Sequence, residues 1–278
     1  MLNKAKTDFK KVKKDFLNQD YTFFDMHYHS RYSDGRSSIP QIVKKARRLG
    51  IGVAVTDHNE IRGALEIAKY EDVPSIPGIE VTTKEGIHVL LYFYTAEELS
   101  SFYNHIILPS KRSSYSLELP ISDLINYAKD FNNVIVAPHP FSISWMGVCD
   151  STHKKIIDFD FLKEFEAIEV INGENLHRLN LKALKLSEML KKPVSGGSDG
   201  HTIVELGHVL TYVKEKGVNP KSFLNQLKKG NTFVLGKESN MVSKVVSQSN
   251  KITVPAKDPL SYAQKSYRYI KKVISVSH

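Results

Sequence analysis

Short apolar runs, most of them ending in a histidine or a carboxylate, recur through the middle two-thirds of this chain. No other feature constrains its fold as much. The packets are HYHSRYSDG at 27–35, TDH at 56–58, GIE at 78–80, APHP at 137–140 and GSDGH at 197–201, with a further histidine at 88. The runs before them are rich in β-branched and aromatic residues, the composition of strands. Strands that finish in such side chains bring them to one end of a sheet or barrel. The candidate set is His27, His29, Asp34, His58, Glu80, His88, His139, Asp199 and His201. Neutral imidazoles and carboxylates gathered there suit two or three divalent transition ions, with Mn, Fe and Zn all acceptable to such donors. The chain therefore reads as a metal-dependent hydrolase.

The local spacing supports this. Residues two apart on a strand share a face, so His27 and His29 can grip one ion from one side. The SDG turn swings Asp34 back over the same mouth. Asp25 and Asp57 neighbour ligand histidines in sequence, and either orient imidazole N–H groups or are polar strand-end residues. His105, His153, His177, His208 and His278 read as ordinary core or surface histidines.

Between 22 and 235, short apolar stretches alternate with helical ones, which predicts a mainly parallel sheet. The expected strands are 23–27, 52–56, 75–80, 88–94, 134–138, 167–171, 194–198 and 207–213. Apolar residues at 39, 42, 43, 46 and 49 have helical spacing. Ser38 suits the N-cap of that helix, Pro40 its first turn and Gly50 its C-cap. Further helices are expected over 122–129 and 179–191. Reactive groups following at least five strands favour a closed barrel, because a ring of loops can aim them at one centre. The polar insert at 95–119 reads as a lid or rim excursion.

At 278 residues, 41% hydrophobic and 25% charged, the chain can hold one large α/β domain or two small ones. No apolar run approaches the roughly 20 residues of a membrane helix, and the N-terminus lacks the apolar stretch of a signal peptide. Cys149 stands alone, which excludes a disulfide framework and a thiolate zinc site. A cytoplasmic location is the simplest expectation. The net charge of +9 lies at the ends: residues 1–17 carry six Lys against two Asp, and 237–278 carry eight Lys/Arg against two acids. The expected organisation is a basic N-terminal extension (1–17), a catalytic body (18–236) and a basic C-terminal tail (237–278). The basic ends either keep the protein in solution or attract an anionic partner such as nucleic acid. Oligomeric state has no readable signal.

Taken together, the packets resemble those of the PHP (polymerase and histidinol phosphatase) family of metal-dependent phosphoesterases, over roughly residues 22–215. HYHSRYSDG is similar to the first family motif, TDH to the second, and GIE with the following His88 to the third. The histidine of APHP is similar to the fourth, and GSDGH to the last. The resemblance implies a distorted (β/α)7 barrel, α/β in class, with its metal site at the C-terminal ends of the strands. It also implies that His27, His29, Glu80 and Asp199 hold one ion. Glu80 would bridge to a second ion with His88 and His139, and Asp34, His58 and His201 would hold a third. Glu80, Asp199 and His201 are then the residues expected to carry the chemistry, through a metal-bridging hydroxide that attacks a phosphate ester.

Two departures bear on the substrate. Phe141, Ser142 and Ile143 follow the APHP histidine where relatives often have a basic residue, and Glu174 stands where Arg is common. Arg31, Lys84 and Arg178, on expected mouth loops, are the alternative clamps for a phosphorylated substrate. A small phosphomonoester, a nucleotide and an oligonucleotide end all fit. Two other readings stay open: an amidohydrolase-type C–N hydrolase, and a metal- or nucleic-acid-binding module without catalysis.

Overall fold

Each of the eight runs expected to be extended overlaps a strand in the computed structural model, which describes residues 4–113, 116–142, 144, 146–153 and 157–238. In chain order the strands are β1 (Thr7–Asp8), β2 (Thr22–Tyr28), β3 (Gly52–Val55), β4 (Gly78–Thr82), β5 (His88–Phe93) and β6 (Lys111–Ser113). They continue as β7 (Ser116–Leu117), β8 (Asn133–Ala137), β9 (Ala167–Asn172), β10 (Val194–Gly197), β11 (Val209–Val213) and β12 (Phe233–Gly236). The helix Ile39–Leu49 has the expected bounds, with the Gln41 side chain accepting from the Ser38 N–H and Gly50 closing it at φ 69°. Helices Ile121–Ala128 and His177–Leu190 lie within two residues of expectation at either end.

The strands form two five-stranded sheets rather than one closed barrel. One has the order β1-β12-β11-β2-β3 and the other β10-β9-β8-β5-β4; β6 and β7 form a separate hairpin. The sheets touch at two seams without a continuous ladder. Isolated parallel bridges join Val53 to Ser75 and His58 to Glu80 on one side, and Tyr28 to Gly200 on the other. The expected barrel is thus corrected to a mixed two-sheet arrangement, and the expected parallel order to a mixed one. β4–β5, β5–β8, β11–β2 and β11–β12 pair antiparallel. For β4 and β5 the cause is the link: five residues, 83–87, separate the strands, far short of the dozen or so that a parallel crossover requires.

Phe24, Met26 and Ala54 from the first sheet pack with Leu90, Tyr92, Val134 and Val136 from the second in one buried cluster. The Tyr92 hydroxyl crosses that interior to donate to the Met26 carbonyl. Helix Pro220–Lys228, which the apolar spacing did not predict, covers one side: Phe223 lies 4.5 Å from Phe24, ring centroid to centroid. The insert at 95–119 is not a polar excursion. It holds the helix Ala96–Phe102, and Leu99, Phe102, Ile107, Leu117 and Leu119 are buried in the largest core cluster. Residues 7 and 8 of the basic N-terminal stretch pair with Val234 and Leu235, and Phe16 packs on Phe23 and Tyr212. Nearly all of the stretch 237–278 lies outside the described residues.

Removing the Phe24 ring empties the shared interior between the sheets. Phe24→Ala should lower the unfolding free energy by about 3–5 kcal/mol, measured by denaturant titration. A loss below about 1 kcal/mol, within the range of ordinary substitutions, would show that this interior does not bind the sheets together.

Candidate metal centre

Strands and the loops that adjoin them carry the nine residues singled out in the sequence. His27 lies in β2 and His29 just past it; the β2–β3 register shifts between Asp25 and Tyr28. Asp34 sits in the following loop and His58 follows β3. His139 follows β8, and Asp199 and His201 follow β10. One placement departs from expectation, since Glu80 lies mid-strand in β4 and does not close it, while His88 begins β5 as expected. Antiparallel pairing brings the start of β5 beside the end of β4, with Thr82 opposite His88. Gly197 permits the close approach of β10 to β2, because a Cβ there would lie 2.4 Å from the His27 nitrogen.

Glu80 is the meeting point. Its Oε1 lies 2.9 Å from His88 Nδ1, 3.1 Å from His139 Nε2 and 3.5 Å from His27 Nε2. Its Oε2 lies 2.9 Å from His58 Nδ1 and 3.4 Å from His29 Nε2. Asp199 Oδ1 stands 3.0 Å from His29 Nε2 and 3.5 Å from His27 Nε2. Asp34 Oδ2 stands 3.2 Å from His201 Nε2 and 3.7 Å from His58 Nε2. Among the described residues three sets have donor atoms all within 4.8 Å of one another: His29, Asp34, His58 and His201; His27, His29 and Asp199; and His58, Glu80 and His88.

These donors fit cations. His27 Nε2 and His29 Nε2 face each other at 3.2 Å. Two ligands on one tetrahedral ion with bonds of about 2.0–2.1 Å stand about 3.3 Å apart. Among the described residues, Nδ1 of His29 and Nδ1 of His139 are buried with no hydrogen-bond partner. The backbone is strained to the same end. His139 (φ 27°), Asp199 (φ 49°) and Asn59 (φ 49°) occupy left-handed conformations without being glycine, a cost of order 1–3 kcal/mol each that tends to persist at functional sites.

The electrostatics separate the imidazoles into two kinds. Burial pushes His29 down to about 3, helped by His201 and His58, and pushes His88 down to about 4 against the pull of Glu80. These two are neutral lone-pair donors at neutral pH. Burial alone would also lower His27, but Asp199, Glu80 and Glu169 together hold it well above 6.5. His139 is likewise raised, with Glu80 overcoming its burial. Burial would raise Glu80 and Asp199, yet the surrounding imidazoles keep both well below the usual carboxylate range.

Three further buried carboxylates brace the ligands. Asp25 accepts from the N–H groups of Ser198 (2.9 Å) and Gly207 (2.8 Å), and burial raises it to about 6. Asp57 accepts from the Ser30 N–H and hydroxyl (2.8 and 2.6 Å) and from the Ser33 hydroxyl, fixing the loop that carries Asp34. Both therefore hold backbone and hydroxyl groups and not the imidazoles. That task falls to Glu169, which accepts from His27 Nδ1 at 3.0 Å. Sequence reasoning missed Glu169 because it sits inside an apolar strand, AIEVIN, with no histidine nearby. Its only signal was a charged residue in an otherwise buried run.

Arg31, Lys84 and Arg178 are exposed, on the loop between His29 and Asp34, the β4–β5 turn, and the first turn of helix His177–Leu190. His105, His177 and His208 enter none of the ligand sets. Cys149 is buried, its thiol pushed up to about 12 by burial. Among the described residues no helix is long and apolar enough to cross a membrane.

Known proteins resemble this chain in sequence or in fold. The model of the PHP domain matches residues 25–202, and one described as PHP-associated matches 177–232. The uncharacterized protein MJ0417 of Methanocaldococcus jannaschii is 26% identical over 226 residues, covering 78% of this chain and 84% of its own. A two-domain protein of Bacteroides vulgatus containing a predicted PHP-like metal-dependent phosphoesterase superposes with a TM-score of 0.57 at 17% identity, covering 88% of this chain and 73% of that one. The lesion-specific endonuclease PfuEndoQ of Pyrococcus furiosus also superposes with a TM-score of 0.57 at 17% identity, covering 91% of this chain and 71% of its own.

Protons and metal ions compete for the same lone pairs. His27 and His139 hold their protons above the ordinary 6.5, so an ion must expel them. The unloaded form binds more protons than the loaded one, so raising the pH favours loading. Apparent metal affinity should climb between about pH 6 and pH 8, with proton release on binding. Calorimetry in buffers of different ionisation enthalpy measures both. A pH-independent affinity without proton release would contradict this assignment.

Proposed function

This chain belongs to the PHP domain family, and on that premise we propose that it is a metal-dependent phosphoesterase. The observation that carries the reading is the convergence of five imidazoles on the two oxygens of Glu80, within 2.9–3.5 Å. His27, His29, Asp199 and Glu80 would hold one ion, Glu80 with His88 and His139 a second, and Asp34, His58 and His201 a third. Divalent ions held there supply Lewis acidity, lowering the pKa of water toward 7 and offsetting charge on phosphate oxygens.

The chain's own residues do the rest. Glu80 ties the ligand groups together, so that they act as one unit. His201 donates from Nδ1 to the Asp199 carbonyl at 2.8 Å, which leaves the lone pair on Nε2, the atom that faces Asp34 Oδ2. Arg31, Lys84 and Arg178 are exposed cations suited to the non-reacting part of a phosphorylated substrate. Asp25, Asp57 and Glu169 add buried negative charge behind Asp34, Glu80 and Asp199. Phosphate selectivity therefore comes from local cation–oxygen contacts rather than from a large net positive charge. The substrate is a small phosphomonoester, a nucleotide or an oligonucleotide end. The basic N-terminal stretch supports the last of these, and the endonuclease relative is consistent with it.

The purified protein should bind two or three equivalents of Mn, Fe or Zn and release phosphate from a member of a mixed panel, in a chelator-sensitive way. The panel holds phosphomonoesters, nucleotides and 5′-phosphorylated oligonucleotides. Glu80→Gln should cut that turnover by more than the roughly 10–100-fold typical of groups that only brace a ligand. Bound metal without any release would remove the phosphoesterase reading, and undiminished turnover in Glu80→Gln would remove the role given to that carboxylate.

A further inference from the structure

We propose that Glu169 is a positioning residue that sets the tautomer of His27, and so decides that Nε2 rather than Nδ1 is offered to an ion. The proposal rests on the metal-centre reading above and adds to it a residue outside the nine ligands.

Glu169 is 1% exposed, and its partners surround it on both oxygens. Oε1 accepts from His27 Nδ1 at 3.0 Å. Oε2 accepts from the His139 N–H at 2.8 Å and from Asn172 Nδ2 at 2.9 Å. Among the described residues no lysine or arginine pairs with it. A carboxylate accepts and does not donate, so the proton of a singly protonated His27 must sit on Nδ1. The lone pair is then on Nε2, the atom that faces His29 Nε2, Asp199 Oδ1 and Glu80 Oε1. Metal-bound histidines commonly have their second nitrogen held in this way by a carboxylate.

The same carboxylate reaches two other ligands. It holds the backbone of His139, which sits at φ 27°. It also anchors Asn172, whose amide extends 3.1 Å to Asp199 Oδ2. Asn172 is in turn locked to Asn180 by a pair of hydrogen bonds, 3.2 and 3.0 Å. One buried group thus coordinates residues from β2, from the loop after β8 and from the loop after β10.

An isosteric change separates tautomer control from plain bracing. Glutamine offers one acceptor oxygen and one NH2. Two donors, the His139 N–H and the Asn172 amide, point at the Oε2 position, so the amide oxygen turns there and keeps both. The NH2 then faces His27 Nδ1, which has to accept, and the proton passes to Nε2. A group that merely braced the backbone would leave metal binding unchanged on Glu169→Gln; a group that sets the tautomer would not.

The experiment titrates zinc into full-length wild type and Glu169→Gln, counting ions by elemental analysis and affinities by calorimetry. Expected is a loss of about 10–100-fold in affinity for one ion, the remaining binding intact, and a metal-free melting temperature close to wild type. Equal stoichiometry and affinity in the two proteins would overturn the proposal. No zinc on wild type would instead overturn the metal-centre reading, so the two failures are distinguishable. Should Glu169→Gln not fold, the 15N imidazole spectrum of zinc-loaded wild type decides. His27 protonated on Nδ1 supports the proposal, and His27 bound through Nδ1 overturns it.

Discussion

A carboxylate buried among imidazoles is the interaction on which the rest of this structure depends. Glu80 is 1% exposed, and ionised carboxylates do not tolerate such burial without compensation. The compensation comes from five histidines that the chain delivers from four segments: His27 and His29 at the end of β2, His58 after β3, His88 in β5 and His139 after β8. Their arrival at Glu80 depends on how the strands are placed. Close approach of β10 to β2 through Gly197 and the hairpin that places His88 across from Thr82 serve that arrival.

Behind the ligands, Asp25, Asp57 and Glu169 act as internal struts. Each accepts several hydrogen bonds from groups that belong to ligand-bearing loops. Their burial raises Asp25 and Asp57 above ordinary carboxylates, a sign that the fold tolerates electrostatic cost to hold these loops. Gly63 shows how tightly they are set: a Cβ at that position would meet Asp57 Oδ2 at 2.2 Å. The strained backbone at Asn59, His139 and Asp199 belongs to the same economy, since these conformations persist only where the surroundings over-determine them.

The sheet arrangement follows from connection lengths more than from strand composition. Eight strands were legible because β-branched and aromatic runs mark them, and the helix at 39–49 because its apolar stripe and its caps agree. The helices at 96–102 and 220–228 carry equally explicit capping signals. The Thr95 hydroxyl accepts from the Glu98 N–H at 3.1 Å, and the Asn219 side chain from the Ser222 N–H at 2.9 Å with Pro220 in the first turn. Polar residues between 95 and 119 mask the buried Leu99 and Phe102, and helix 220–228 lies beyond the last histidine packet.

What the chain determined by itself was chemical: which residue types can bind metal, that most of them terminate or flank apolar strands, and that they share one end of the molecule. Those properties are local, resting on side-chain identity and on the period-two geometry of a strand. What tertiary structure decided was relational. It set the antiparallel direction of β5, the division into two sheets whose edges meet at isolated bridges, and the pairing of Glu169 with His27 across 142 positions of sequence. No local rule specifies which distant acceptor meets a given imidazole nitrogen. That depends on which strands become neighbours, and burial of the whole interior chooses them.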